Sequence, residues 1–433
     1  MGASSLGKAG LLRRFGFTLL ALIIYRLGTY IPIPGINLNV IERIVSDHSS
    51  GVLGIFNVFS GGALGRMTIF ALNVMPYIVA SIMIQLLTVA VPTLNEIRQE
   101  GELGRIRINS YTRYLTVIFC LVQGLMILLG LERMNTDDVM VVLDPGITFR
   151  VVGISSLLAG TMFLLWLGER INLKGIGNGI SLIIFVGIIS ELPGSITSVF
   201  LLGKRGEVSG FTVLAIVAAF FALFLLIIFF ERSYRKVLVQ YPKRQAGGRF
   251  YNSDSSYMPL KINISGVIPP IFANALLLSL MTLAKFYSGY SWSDFILGHL
   301  SAEGMLYVAL YVTLIMFFAF FYTSLVFDSK ETSEMLKKNG GFIPGKRPGK
   351  GTQVYFDQVI KRLTVIGALY LSVVCVVPEI VRHYCAVSFT LGGTSFLIIV
   401  NVINDTFSQV QTQIYSGRYG ALMKRSELWK KIK

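Results

Sequence analysis

Nine windows of 16 residues or more without a charged side chain mark candidate membrane spans in this 433-residue chain: 67–95, 114–131, 151–168, 175–190, 208–230, 262–284, 304–327, 363–378 and 383–404. An α-helix needs about 20 mainly apolar residues to cross a bilayer. Most of these windows come close to that length or exceed it, and the two shortest, 175–190 and 363–378, need flanking residues to complete a crossing. A tenth stretch, 15–33, is apolar except for Arg26 and follows Lys8, Arg13 and Arg14. It has the charge layout of a signal peptide, but no small-residue cleavage site follows, so it reads as an uncleaved first helix. A charge at mid-bilayer costs about 2.5–3.5 kcal/mol on insertion scales, so Arg26 is expected to face protein or to lie near the helix end. The expected fold is an all-α polytopic membrane protein with ten transmembrane helices. Only 14% of residues are charged, against roughly 25% in ordinary soluble domains.

The loop charges orient the chain. Of 39 Lys and Arg, thirty fall in the termini and alternate loops on one side and eight in the loops on the other. Lysine and arginine stay on the cytoplasmic side, which puts both termini in the cytoplasm of a multi-pass protein. The net charge of +16 suits anionic lipid headgroups or a polyanion such as ribosomal RNA.

Chemistry is sparse. Cys120, Cys375 and Cys385 lie in or beside apolar runs without metal-ligand spacing, and His48, His299 and His383 are scattered. Packed thiols, no metal, no cofactor and no enzymatic activity are expected. The run Gly340–Arg347 approaches a phosphate-binding loop but has Arg347 where Ser or Thr is required, and no parallel strand precedes it. An intramembrane enzyme would need paired Asp or Ser/His in the spans, and none is present. The rival class is a secondary transporter, which wants ionisable residues at mid-membrane; only Arg26 and Asp405 approach that description.

The most informative stretch is Gly54 to Pro92. Its first part, 54–66, is short and glycine-rich, with Ser60, Gly61, Gly62, Ala63, Leu64 and Gly65 in a row; its second part is the 67–95 window. Two readings are open: an outside loop before a helix, or a re-entrant segment, which survives at membrane depth only where protein or a water-filled cavity surrounds it. Further on, Gly175, Gly177 and Gly179 precede a span; each costs about 1 kcal/mol in a helix interior, so they signal a tight helix start with close backbone packing. Pro269 and Pro270 fall in the first third of 262–284 and are expected to kink it. Two long loops stand out. In 231–261, alternation over 236–241 suggests a strand and Phe250-Tyr251 another, hence a hairpin. In 328–362 a short amphipathic helix leads to a Gly/Pro tip. Both exceed what orientation alone requires.

Several runs together resemble the bacterial SecY family, the channel subunits of the preprotein translocase. They are Val58 to Leu64 with Ile69 to Leu87; Glu169-Arg170 with Gly175 to Ser181; Gly266 to Phe272; the YxKRQ..GR.Y pattern around Lys243, Arg244 and Arg249; and FIPGKRPG around Lys346 and Arg347. The resemblance covers about 11 to 425. It implies two five-helix halves, an inverted pseudo-repeat around a central pore: 1–190, carrying a plug segment at 54–66, and 191–433, carrying the loops 231–261 and 328–362 and the tail. No residue-level repeat is evident, so this symmetry rests on the resemblance.

The resemblance further implies a plug including Phe56, Asn57, Phe59, Ser60, Gly61, Gly62, Ala63 and Leu64. It implies a ring of apolar residues at Val74, Ile78, Ile180, Ile184, Ile271 and Ile398, a seal that binds no particular side chain. It implies a lateral gate in which Gln85, Thr88 and Asn274 are polar, and docking of the ribosome or the SecA motor through Lys243, Arg244, Arg249, Lys346 and Arg347. The implied partners are the SecE and SecG subunits, SecA, the ribosome, unfolded preproteins with signal sequences, anionic lipids and the accessory factors SecDF and YidC, at the bacterial plasma (inner) membrane. Gly248 stands where relatives often carry a second arginine, and Asn401 and Asn404 make the last span more polar than usual, consistent with helix–helix hydrogen bonding.

Overall fold

The computed structural model describes residues 8–38, 40–41, 60–133, 140–204, 209–241, 245–246, 249–250, 255–286, 305–385 and 392–432. The chain forms two compact units, Met1–Val208 with Val387–Lys433, and Ser209–Ala386. In the first lie α1 (Lys8–Gly28), α2 (Met75–Ala90), α3 (Pro92–Gln99), α4 (Glu102–Arg133), α5 (Ile147–Lys174), α6 (Gly179–Lys204) and α12 (Gly393–Ile432). In the second lie α7 (Gly210–Glu231), strands β1 (Tyr234–Gln240), β2 (Gln245–Ala246), β3 (Arg249–Phe250) and β4 (Ser255–Lys261), then α8 (Ile268–Phe286), α9 (Met305–Val326), α10 (Ser329–Lys338) and α11 (Lys350–Cys385).

Among the described residues, six helices are long and apolar enough to cross a membrane, seven if α2 and α3 count as one span bent by 107°. The bend falls at Val91–Pro92, where the proline removes the amide that would continue α2 and opens α3 instead. Both faces of these helices are apolar, and many large side chains point outward, Phe211, Phe221, Phe229 and Phe317 among them. In water that surface would be a liability; against lipid it is the required exterior.

The first span departs from its expected 15–33. Helix α1 ends at Gly28, because Pro32 and Pro34 cannot extend it. Ile31 and Ile33 instead run extended beside residues 67–69, with Ile33 N donating to Met67 O at 2.9 Å and Ile69 N to Ile31 O at 3.1 Å. The second span departs further. Residues 61–74 form successive turns and α2 begins only at Met75. Met67 and Asn73 take positive φ, 41° and 49°, which breaks the helical path.

The glycines before α6 act as their spacing requires. A Cβ on Gly179 would stand 2.1 Å from the Gly168 carbonyl oxygen of α5. The orphan amides at this helix start are satisfied from three helices: Ile176 N by Thr18 Oγ1 of α1, Gly177 N by Gln409 Oε1 of α12, and Gly179 N by Asn172 Oδ1 of α5. In the second unit, Pro269 and Pro270 occupy the first turn of α8. Their missing amides cost nothing there, so they open the helix where a kink was expected.

Candidate functional site

The buried turns after Ser60 are the most unusual backbone in the first unit. From Ser60 to Pro76 every residue is buried except Arg66 and Ile69, which are half-buried. Several polar atoms of the segment are bonded locally or by α1. Ser60 Oγ accepts from Leu64 N at 3.1 Å, Tyr25 Oη donates to Ser60 O at 3.4 Å, and Arg26 Nη1 donates to Gly61 O at 2.8 Å. Ala63 O accepts from both the amide and the hydroxyl of Thr68. Arg26 thus lies two residues from its helix end and faces protein, as its insertion cost demands. Gly61 and Gly62 take φ of 66° and 81°. A Cβ on Gly61 would meet Gly187 Cα of α6 at 2.8 Å, so backbone lies on backbone. Farther along, Phe70 stacks between Tyr25 and Phe163, and Ile69 O lies against Gly160. Of the two readings left open for this stretch, its described part fits the one in which protein surrounds irregular backbone.

Of the residues expected in the plug, Ser60, Gly61, Gly62, Ala63 and Leu64 belong to this buried turn, while Phe56, Asn57 and Phe59 lie outside the described residues. Of the expected ring, five residues fall in the first unit. Val74 caps the start of α2, Ile78 follows one turn later, Ile180 and Ile184 stand one turn apart on α6, and Ile398 is on α12. Val74, Ile184 and Ile398 are buried, and Ile78 and Ile180 half-buried. Ile271 sits half-buried in the first turns of α8, in the second unit.

The expected gate residues are also divided between the units. Thr88 donates to Gln85 O within α2, and Gln85 Nε2 donates to Ser81 Oγ. Gln85 Oε1 is buried without a hydrogen bond. Asn274 is buried on α8.

The two long loops form one module, a feature the sequence reading missed. Strands β1 and β4 pair antiparallel from Tyr234↔Lys261 to Gln240↔Ser255. The strand expected at 250–251 is instead half of a two-residue tip, β2 with β3, in the register Gln245↔Phe250. The partner of β1 was overlooked because Tyr257, Met258, Pro259 and Leu260 do not alternate in polarity. At its far end β1 meets the second loop: Gln240 and Phe342 exchange both backbone hydrogen bonds, each 2.9 Å. Beneath, Val237, Leu260, Ile343, Phe356, Ile360 and Leu363 form one core. Asp328 caps α10 through Lys330 N and Glu331 N, and Gly340, Gly345 and Gly349 all take positive φ around the tip. Lys346 and Arg347 are exposed on that tip, with Lys346 Nζ 5.9 Å from the centre of the Tyr355 ring. Arg249 lies in β3, and Lys243 and Arg244 lie outside the described residues. Helix α11, 36 residues long in all, carries Phe356 and Ile360 in this core and also forms an apolar span, so one helix joins the module to the membrane.

No group of three or more His, Cys, Asp or Glu suited to a metal occurs among the described residues. Cys120 and Cys375 are buried free thiols, and Cys120 Sγ lies 3.6 Å from Thr161 Oγ1.

A family model described as SecY matches residues 68–407. The protein translocase subunit SecY of Rickettsia bellii (strain RML369-C) is 50% identical over 419 residues, spanning 96% of this chain and 97% of that protein. A solved protein-conducting channel superposes with a TM-score of 0.64 at 18% identity, covering 94% of this chain and 93% of the other. Canine Sec61, in a ribosome–channel complex from the endoplasmic reticulum, gives a TM-score of 0.59 at 17% identity over the same shares. The last two share the fold with this chain; the first two establish its kinship. The chain belongs to the SecY family.

Proposed function

We propose that this chain is the protein-conducting channel subunit of a bacterial Sec translocase, passing unfolded preproteins across the plasma membrane and releasing apolar helices sideways into lipid. The observation that carries the reading is the buried, irregular, glycine-rich turn at Ser60–Val74, seated on α1, α5 and α6. An ordinary outside loop has no need of such a bed. A movable stopper does, because its backbone polar groups must be satisfied whenever the channel is shut.

In this reading ten spans form two inverted five-helix halves, 1–190 and 191–433, with both termini cytoplasmic. Residues 54–66 are the plug, with Phe56, Asn57 and Phe59 completing the described part. Val74, Ile78, Ile180, Ile184, Ile271 and Ile398 form a constriction that closes by dewetting around any sequence. Gln85, Thr88 and Asn274 lie on the helices that part laterally. Each polar link there is worth about 0.6–2 kcal/mol in a membrane, weak enough for an apolar signal helix to displace. The buried, unbonded Gln85 Oε1 supports a polar role for that position.

The loop module presents Lys243, Arg244, Arg249, Lys346 and Arg347 to the ribosome or to a motor ATPase, SecA. The canine channel was solved together with a ribosome, which supports the first of these. SecE and SecG are the proposed companion subunits, with SecDF and YidC as accessory partners, and anionic lipids surround the basic face. The chain supplies a conduit, and the partner supplies the energy.

The test is reconstitution. The chain is placed in proteoliposomes with its companion subunits, and a preprotein is added with the motor and ATP. Protection of the preprotein from external protease, lost when its signal sequence is removed, is the expected result. Gradient-driven uptake of a small solute without preprotein protection would instead favour a secondary transporter.

A further inference from the structure

Two cations and one anion converge on the buried turn, and the anion comes from α6. Glu191 follows Gly187 by one helical turn on the same face of that helix. A Cβ on Gly61 would strike Gly187 Cα, and a Cβ on Gly62 would stand 2.5 Å from Glu191 Oε1. The same point lies 3.8 Å from Arg66 Nη2, so Gly62 is held between a carboxylate and a guanidinium. Arg66 has its Nη1 buried with no hydrogen bond and lies over the ring of Tyr30 at 4.5 Å. Arg26 lies over the same ring at 5.2 Å and donates to Gly61 O. Both guanidinium groups are within electrostatic reach of Glu191. Two half-buried arginines packed on one tyrosine repel each other and need an opposite charge nearby. Among the described groups facing them, Glu191 supplies it.

We propose that Glu191 is the countercharge that holds Ser60–Arg66 against α6, and that it thereby sets how strongly a signal sequence must engage before the channel opens. This rests on the plug reading above. When the segment leaves α6, Arg66 moves away from the carboxylate and Arg26 loses the Gly61 carbonyl. Glu191 then remains at the vacated face with only Arg26 of α1 to compensate it. Opening is opposed by that separation, so the residue determines which signal sequences succeed.

The experiment measures export, in cells, of a secretory protein with a crippled signal sequence, together with resting ion leak across membranes carrying the channel. The variants are Glu191→Gln, Glu191→Asp and Gly62→Val, each first shown by immunoblot to be present in the membrane at the wild-type amount. Loss of one partner of a partly buried charge cluster is a large effect. Glu191→Gln is therefore expected to raise export of the crippled precursor roughly tenfold and to raise the leak, with Glu191→Asp restoring most of the restriction. Gly62→Val displaces the turn by steric clash whatever the charge, and should leak as well. If Gly62→Val leaks and Glu191→Gln behaves as wild type, the turn is a plug and Glu191 is not its countercharge. If neither leaks, the plug reading itself falls and the countercharge with it.

Discussion

Truncating Phe356 to alanine should separate the two long loops while leaving the spans in place. The ring is fully buried and packs near Phe327 and Tyr355 in the core shared by β1, β4 and α11. Removing a buried phenylalanine costs about 3–5 kcal/mol. The only backbone link of the second loop to the hairpin, among the described residues, is the pair of bonds between Gln240 and Phe342. Each contributes about 0.5–1.5 kcal/mol net. The loss of packing therefore equals or exceeds what the two hydrogen bonds supply, and the tip carrying Lys346 and Arg347 opens locally. Amide hydrogen exchange reads this directly. At about 1.4 kcal/mol per decade, the Phe342 amide should exchange at least about a hundredfold faster. Val237 and Met258 in the β1–β4 pairing should change less, since seven residue pairs hold that ladder. Binding of the proposed ribosome or motor partner should weaken in parallel, because the basic tip is no longer presented on a fixed frame. A Phe342 amide that keeps its wild-type protection in this variant would refute the shared-core account.

Three further outcomes follow from the same geometry. Gly179→Ala forces a Cβ toward the Gly168 carbonyl, 2.1 Å away, and overpacking of that kind costs about 1–3 kcal/mol; thermal inactivation in detergent should come earlier. Gly194→Ala, on the same helix with open space around it, should be neutral or stabilising by up to about 1 kcal/mol, and equal behaviour of the two variants would contradict the packing described for the start of α6. Arg347→Glu should weaken docking about tenfold, more at low salt than at high salt, without changing exchange at Phe342; a binding constant insensitive to both the charge and the salt would remove this tip from the interface.

What could be read from the sequence was whatever is encoded locally. Charge-free windows marked the six helices that are long and apolar enough to cross a membrane among the described residues, and the charge bias of the loops argued their orientation. Pro32 and Pro92 lay inside the expected spans 15–33 and 67–95, yet the chain breaks before or at them, since proline acts on its own turn of chain. The glycines at 175, 177 and 179 announced close packing because few other demands explain three in five residues. Long-range partners left no such trace. Gln240 and Phe342 are about a hundred residues apart in the sequence, and neither type signals a bridge. Met67 to Val74 reads as helix-compatible apolar sequence, yet its neighbours on α1 and α5 hold it in turns. Glu191 closes the charge-free window 175–190, and nothing in the sequence says which flanking residues complete that crossing. Helix α6 continues to Lys204, and the carboxylate lies inside, against the glycine turn.

The most direct test of the channel itself is crosslinking of a preprotein stalled in transit. Single cysteines are placed at Ile78 and at Ile271 in a chain whose Cys120, Cys375 and Cys385 have been replaced. The account predicts crosslinks from both positions to the stalled chain, and their loss when the signal sequence is inactivated. A preprotein that crosses the membrane through this protein while reaching neither position would contradict the proposed constriction.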